Sequence, residues 1–171
     1  MSFIPSFNDD SNDGRKIAFI CTKANLDMAY PALIMGNAAL GEGVEVDIFF
    51  SFWGFDLIMK SRQDNLKFNP AGNTGMHLPG SDAHFPQSMS LLPGMTAMAT
   101  WMLKREFDKL DVPPVSEFLD IITASGGRLW GCKLSADMYG VEEKDLRDDV
   151  GGIITAADFI EIAKGAQVIF I

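Results

Sequence analysis

Residues 15–22 (RKIAFICT) are apolar at nearly every position after a charged lead-in. A run so short and so uniformly apolar suits a strand covered on both faces, as parallel strands are. Further strand runs stand at 44–50 (VEVDIFF), 126–133 around Leu129 and Trp130, 150–155 (VGGIIT) and 167–171. Helical signals lie between them. Asp27 is the expected N-cap of a helix that carries Pro31 near its first turn, reaches about Leu40 and stops at Gly41 and Gly43. An aromatic turn (51–55) leads into a short helix over 56–60. Helices are expected over 95–110 and 115–125, separated by Pro113-Pro114, then a polar turn at 135–139, a short acidic helix at 141–146 and a helix at 156–165. Strands that alternate with helices imply an α/β fold with a mostly parallel sheet, right-handed crossovers and helices on both faces. Residues 1–14 are polar and read as a flexible tail; 15–171 read as one domain. Residues 61–93 show no periodicity, and a loop of that length suggests a lid or a partner-binding segment.

The chemistry points to Cys132. The stretch Gly126-Gly127-Arg128-Leu129-Trp130-Gly131-Cys132-Lys133 reads as a buried strand that ends in a cysteine. In open α/β sheets the ligand crevice lies outside the carboxyl ends of the strands. A sulfur nucleophile there must be a thiolate, partly exposed, beside something positive or a helix N-terminus. Lys23, at the exit of the first strand, and the adjacent Lys133 are candidates to stabilise it, as are the first amides of the 141–146 helix. Asn25 in the turn after the first strand, Trp53 in the aromatic run and Asp137 after the cysteine are further candidates to line the site. The plainer alternative is a small buried hydrophobe, a common fate of free cysteine. Cys21 sits inside an apolar run and reads first as core. Its sharper alternative is a resolving thiol for Cys132, which needs a Cα separation of about 4.4–6.8 Å.

Other features read as packing. The run Phe49-Phe50-Ser51-Phe52-Trp53-Gly54 suits core beneath the long loop, or else an apolar floor beside the cysteine or an oligomer surface. Met95, Met98 and Met102 at helical spacing suit core, with a subunit interface second. Glu142-Glu143-Lys144-Asp145 reads as a solvated helix face.

Composition removes several classes. A chain of 171 residues with 47% apolar and 22% charged residues folds around a real core and is not disordered. The net charge of −9 argues against nucleic acid and anionic membrane surfaces, and permits docking of a small basic protein. Two cysteines make no disulfide framework. His77 and His84 stand alone in a loop, and no Cys/His cluster has metal spacing. Neither a dinucleotide fingerprint nor a P-loop is present, so no cofactor is expected. No signal peptide and no run of 18 apolar residues is seen, which leads to an expectation of cytoplasmic residence without a membrane span.

Several stretches together resemble the DsrE/DsrF-like family. They are Thr22-Lys23 with Asn25-Leu26-Asp27-Met28-Ala29-Tyr30-Pro31; Asp47-Ile48-Phe49-Phe50-Ser51-Phe52-Trp53-Gly54; Leu92-Pro93-Gly94-Met95; and Cys132 ahead of Ser135-Ala136-Asp137-Met138-Tyr139-Gly140-Val141. The resemblance spans roughly 15–171. It implies a three-layer, flavodoxin-like α/β/α fold with a five-stranded sheet, and homo-oligomers such as trimers, tetramers or hexamers. It also implies a role in cytoplasmic sulfur trafficking. There the cysteine matching Cys132 carries a persulfide or thiosulfonate and exchanges it with TusA-like or rhodanese-like carriers. Two rival functions are a non-catalytic assembly module and a thiol redox protein using Cys21 with Cys132.

Overall fold

The computed structural model describes residues 14–77 and 81–171. Strands β1 (Lys16–Cys21), β2 (Glu45–Phe50), β3 (Arg128–Cys132), β4 (Val150–Ile154) and β5 (Gln167–Phe170) form one sheet in the order β4-β3-β2-β1-β5. Every pairing is parallel. The helices are α1 (Leu26–Gly41), α2 (Met95–Lys109), α3 (Val115–Ala124), α4 (Lys133–Tyr139) and α5 (Ala156–Ile162). The expected α/β architecture is therefore present, with the sheet parallel throughout.

Strand alternation sorts side chains onto two unequal faces. On one face Phe19, Cys21, Ile48, Phe50 and Leu129 join Leu33 of α1 and Leu119 and Ile122 of α3 in the main core. On the other, Ala18, Phe49 and Cys132 pack with Phe159 of α5. Phe49 and Phe159 stack at 4.5 Å between ring centroids. A helix of seven residues covers little of a five-stranded sheet, so Ile160, Val168 and Phe170 remain exposed, Phe170 at 71%.

Local differences from the sequence expectation have physical causes. The cap of α1 is Asn25, and Asp27 falls in the first turn, where a carboxylate favours the positive end of the helix dipole. The polar stretch after Cys132 is a helix because Cys132 and Ser135 have N-cap and N3 spacing, and Gly140 at φ 64° ends it. Residues expected as an acidic helix instead form a 3-10 turn over Glu143–Asp145, closed by reciprocal bonds between Glu142 and Asp145. The aromatic turn and short helix merge into one 3-10 helix, Phe52–Ile58. Only Met95 of the methionine stripe is buried; Met98 is exposed and Met102 half-buried, so the stripe is not the core element expected. The 61–93 segment contains 3-10 turns over Gln63–Asn65 and Gln87–Leu91 and a bridge that pairs His77 with His84. Apart from Gly14, the expected tail lies outside the described residues.

Two buried charges fasten the elements. The Asp47 carboxylate, in the middle of β2, is fully buried. It accepts from Arg128 Nε at 2.9 Å, Arg128 Nη2 at 2.8 Å and Trp130 Nε1 at 2.8 Å, and lies 3.1 Å from Lys16 Nζ. Three adjacent strands thus meet on one carboxylate. Gly151 permits this, since a Cβ there would stand 2.7 Å from the Trp130 ring. Burial pushes the Asp47 pKa up, but the donors from Arg128, Trp130 and Lys16 outweigh it and hold the group below its usual value. Arg147 plays a similar part at the base of β4. It donates to Asp149, Gln63, the Ser116 carbonyl and Asp120, tying α3 and the 63–65 turn to that strand.

Gly54 matters for a different reason. Its Cα faces the end of β1 so closely that a Cβ would lie 2.2 Å from the Cys21 carbonyl oxygen. That same oxygen accepts the Ser51 N–H at 2.9 Å.

Two outcomes follow from these contacts. Asp47→Asn removes the charge shared by Lys16 and Arg128, and leaves Arg128 only the Glu45 carboxylate at 3.4 Å. Both cations reach toward water, so the expected loss is about 2–3 kcal/mol, read from urea unfolding. A carboxylate whose pKa is depressed by folding stabilises above its unfolded pKa, and the gain is lost as pH falls through the folded value. Wild-type stability should therefore decline below about pH 4 more steeply than that of Asp47→Asn. Gly54→Ala must push the 52–58 turn off β1, and is expected to cost about 3 kcal/mol in the same measurement, as overpacking against rigid backbone does.

Candidate functional site

β3 passes into α4 with no intervening loop, and Cys132 is the N-cap, at φ −75° and ψ 123°. An N-cap side chain faces the free amides of the first helical turn. The backbone N–H groups of Leu134 and Ser135 accordingly act on the Cys132 sulfur. β2 supplies the next group. Phe50 pairs with Gly131, so one step further along both strands Ser51 comes opposite Cys132. Both side chains then share the face that carries Phe49. Ser135, at the third helical position, completes the cluster. Its Oγ accepts the Phe52 N–H at 2.7 Å and lies 3.5 Å from Ser51 Oγ. Phe52 holds a left-handed backbone conformation, φ 46°, an uncommon state for a bulky residue and one that concentrates at functional sites.

These contacts set the electrostatics. Burial pushes the Cys132 thiol up. The Ser51 hydroxyl, the Ser135 hydroxyl and amide and the Leu134 amide around the sulfur more than offset this, and the thiol sits below its ordinary pKa. Cys21 has only the first effect: burial pushes it to about 12. The two thiols of the chain are thus shifted in opposite directions.

Cys132 lies deeper than a partly exposed nucleophile would. It is 6% exposed, beside Ala18, Phe49 and Phe159, with Ile20, Trp130 and Ile154 half-buried around it. Its polar side is the serine and amide cluster; its apolar side is the thin cover of α5.

The other candidate residues fall as follows. Lys23 is exposed in the turn after β1. Lys133 Nζ pairs with Asp137 Oδ1 at 3.2 Å on the outer surface of α4, so these two satisfy each other. Neither lysine is among the groups acting most strongly on the sulfur, which are burial, hydroxyls and amides. Asn25 caps α1 through its backbone carbonyl, which accepts from Met28 and Ala29. Trp53 is 63% exposed and tilts over Tyr139 at 5.6 Å. The amides expected from a 141–146 helix are supplied by α4 instead.

The proposed pairing of Cys21 with Cys132 is corrected by the sheet. β2 runs between their strands, which separates the Cα atoms by two strand spacings, about 10 Å. The two side chains also lie on opposite faces, in different core clusters. A disulfide needs Cα atoms within about 7 Å. Both thiols are free. Among the described residues no group of three His, Cys, Asp or Glu side chains is placed to hold a metal ion. No helix of the described residues is long and apolar enough to cross a membrane.

Sequence reasoning missed Ser51, Ser135 and Asp47 as site or core residues. The signal for Ser135 was present in the Cys132-x-x-Ser135 spacing, which matches a helix cap and its third position.

Known proteins resemble this chain in sequence, and one solved structure resembles it in fold. The chain is 35% identical over 155 residues to the sulfur carrier protein DsrE2 of Allochromatium vinosum, covering 90% of this chain and 96% of that one. It is 26% identical over 159 residues to the uncharacterized protein YrkE of Bacillus subtilis, covering 92% and 97%. A protein of unknown function from Methanobacterium thermoautotrophicum superposes with a TM-score of 0.54 at 12% identity, covering 93% of this chain and all of that one. The profile of the DsrE/DsrF/DrsH-like family matches residues 13–171, and the chain belongs to that family.

Proposed function

We propose that this protein is a sulfur carrier that holds a persulfide or thiosulfonate on Cys132 and exchanges it with a partner thiol. The observation that carries the reading is the contrast between the two cysteines. Cys132 ends a parallel strand among four hydrogen-bond donors, while Cys21 is pushed to about 12. The family and its relative in Allochromatium vinosum, named a sulfur carrier, support it. In loading, the Cys132 thiolate attacks the sulfane sulfur of a donor persulfide; the donor's S–S bond breaks and the donor thiolate leaves. In release, an acceptor thiolate attacks the carried sulfur, and Cys132 leaves as a thiolate. A transfer of this kind, catalysed between two other carriers, would make the protein a sulfurtransferase.

The partner in this reading is a small TusA-like or rhodanese-like carrier. It would dock beside α4, where Trp53, Leu134 and Met138 are exposed, and it would meet a surface of net negative charge. Cytoplasmic residence belongs to the same proposal, since persistent thiol chemistry suits a reducing compartment.

A second reading is an assembly module. It draws on the sparsely covered face, where Ile160, Val168 and Phe170 are exposed. The two readings combine if copies of the chain cover that face in a homo-oligomer.

Intact-protein mass spectrometry separates them. After polysulfide treatment the wild type and Cys21→Ser should gain the mass of one or more sulfur atoms, and Cys132→Ser should gain none. Equal gain in Cys132→Ser, or none in the wild type, would remove the carrier role. Cys132→Ser with unchanged molar mass by light scattering would place assembly apart from the thiol.

A further inference from the structure

We propose that Ser51 and Ser135 are positioning residues that aim two hydroxyl protons at the Cys132 sulfur, so that it leaves as a hydrogen-bonded thiolate when its cargo is handed on. The inference rests on the carrier reading and goes on to say which step the surroundings of the sulfur favour.

The geometry begins with register. The Phe50–Gly131 pairing places Ser51 across from Cys132 on the same sheet face, and helical spacing places Ser135 above it. Both serines are buried, Ser135 at 1% exposed. A buried hydroxyl must find partners. Ser135 Oγ already accepts the Phe52 N–H, which fixes the oxygen and leaves its own proton to donate. Ser51 Oγ is 3.5 Å from Ser135 Oγ, too long for a good O–H···O bond, so each proton does better on a third atom. The Cys132 sulfur, one step beyond the Phe50–Gly131 pair from Ser51 and three residues before Ser135, is the third atom that this placement offers to both. The strained Phe52 backbone has a role in this arrangement, because its N–H holds Ser135.

The chemistry has a direction. Release breaks the bond between Cys132 and the carried sulfur. The acceptor thiolate forms a new S–S bond, and the electron pair of the broken bond goes to the Cys132 sulfur. Two hydroxyls and two amides receive that charge, which makes Cys132 a better leaving group. The same donors make the free thiolate more abundant but intrinsically less nucleophilic, so loading gains less than release. Neighbours on the sulfur's side, Ala18 and Ile20 from β1, Phe49 from β2, Ile154 from β4 and Phe159 from α5, are all uncharged. Lys133 and Asp137 on α4 neutralise each other.

The test uses the full chain as wild type, Ser51→Ala, Ser51→Thr and Ser135→Ala. The first readout is the pH profile of Cys132 alkylation by iodoacetamide. The second is the rate at which polysulfide-loaded protein passes sulfur to dithiothreitol. Ser51→Ala should raise the alkylation midpoint by about one pH unit, the scale of one lost hydrogen bond to a charged group, and slow release several-fold. Ser51→Thr keeps the hydroxyl and should restore both. Ser135→Ala should act in the same direction, but it also orphans the Phe52 N–H, so Ser51→Ala decides if that variant folds poorly. Profiles and release rates in Ser51→Ala that superimpose on the wild type would overturn the proposal. If the wild type takes up no sulfur, the carrier reading falls alone, and the alkylation profiles still decide whether the serines set the thiol.

Discussion

The pairing of β2 with β3 is the constraint on which the site depends. In a sheet, a slip of one residue turns every side chain to the other face. Here the register is pinned by Asp47, whose carboxylate gathers donors from β1 and β3. Four residues further along β2, about 13 Å away, Ser51 comes opposite Cys132. A shifted register would put Ser51 into the main core and leave Cys132 with the donors of its own helix alone. The buried charge at one end of the strand pair thus determines which polar groups meet at the other. Partners that remain near water keep the desolvation of Asp47 affordable, since Arg128 is half-exposed along its side chain.

The parity of the strands also explains why two chemically identical thiols differ. Cys21 falls on the face covered by α1 and α3, with no donor acting on its sulfur strongly enough to offset burial. Cys132 falls on the face covered by α5, and it is a helix cap rather than a strand interior. Local backbone geometry, more than proximity to a lysine, makes the difference. Peptide amides and hydroxyls are fixed by the fold and lose little entropy when they meet a charge. A lysine on a flexible stem must be immobilised first. Lys23 and Lys133 had the right charge in the sequence but no scaffold that brings them to the sulfur.

How far the residues alone disclose this structure depends on the range of the signal. The strands were legible because each is a short apolar run between glycines and polar turns, and β1 and β2 begin and end within a residue or two of the expected limits. The position of Cys132 at a strand end was legible for the same reason. The resemblance carried by the 22–31, 47–54 and 132–141 stretches gave the family before any geometry did. What could not be read were relations between distant residues. Asp47 looks like an outward-facing charge in VEVDIFF, until Arg128 and Trp130 arrive from a strand some 80 residues later. The methionine stripe of α2 has core periodicity, yet Met98 faces outward because α2 packs more against the 61–93 segment than on the sheet. The separation of Cys21 from Cys132 required strand order, which periodicity does not contain.

The cover over Cys132, the thiol proposed to carry sulfur, is thin. A thiol that exchanges sulfur must be reached, and this one is almost enclosed. The enclosing element is α5, two turns long, held at its start by the reciprocal Thr155–Asp158 cap and on the sheet chiefly by Phe159. Helices this short draw most of their stability from packing rather than from their own hydrogen bonds. One stacked ring pair is therefore a small barrier to local opening compared with the main core on the opposite face. The asymmetry of the two faces then has a chemical use. Strand pairing, the Asp47 ion pairs and the Cys132 cap are fixed by the sheet itself and keep the donors in place. The cover belongs to the weak side, and on the carrier reading it is the element that would have to move for an acceptor docked beside α4 to reach the sulfur. A carried persulfide would be shielded from solvent thiols between encounters and uncovered only where an acceptor docks.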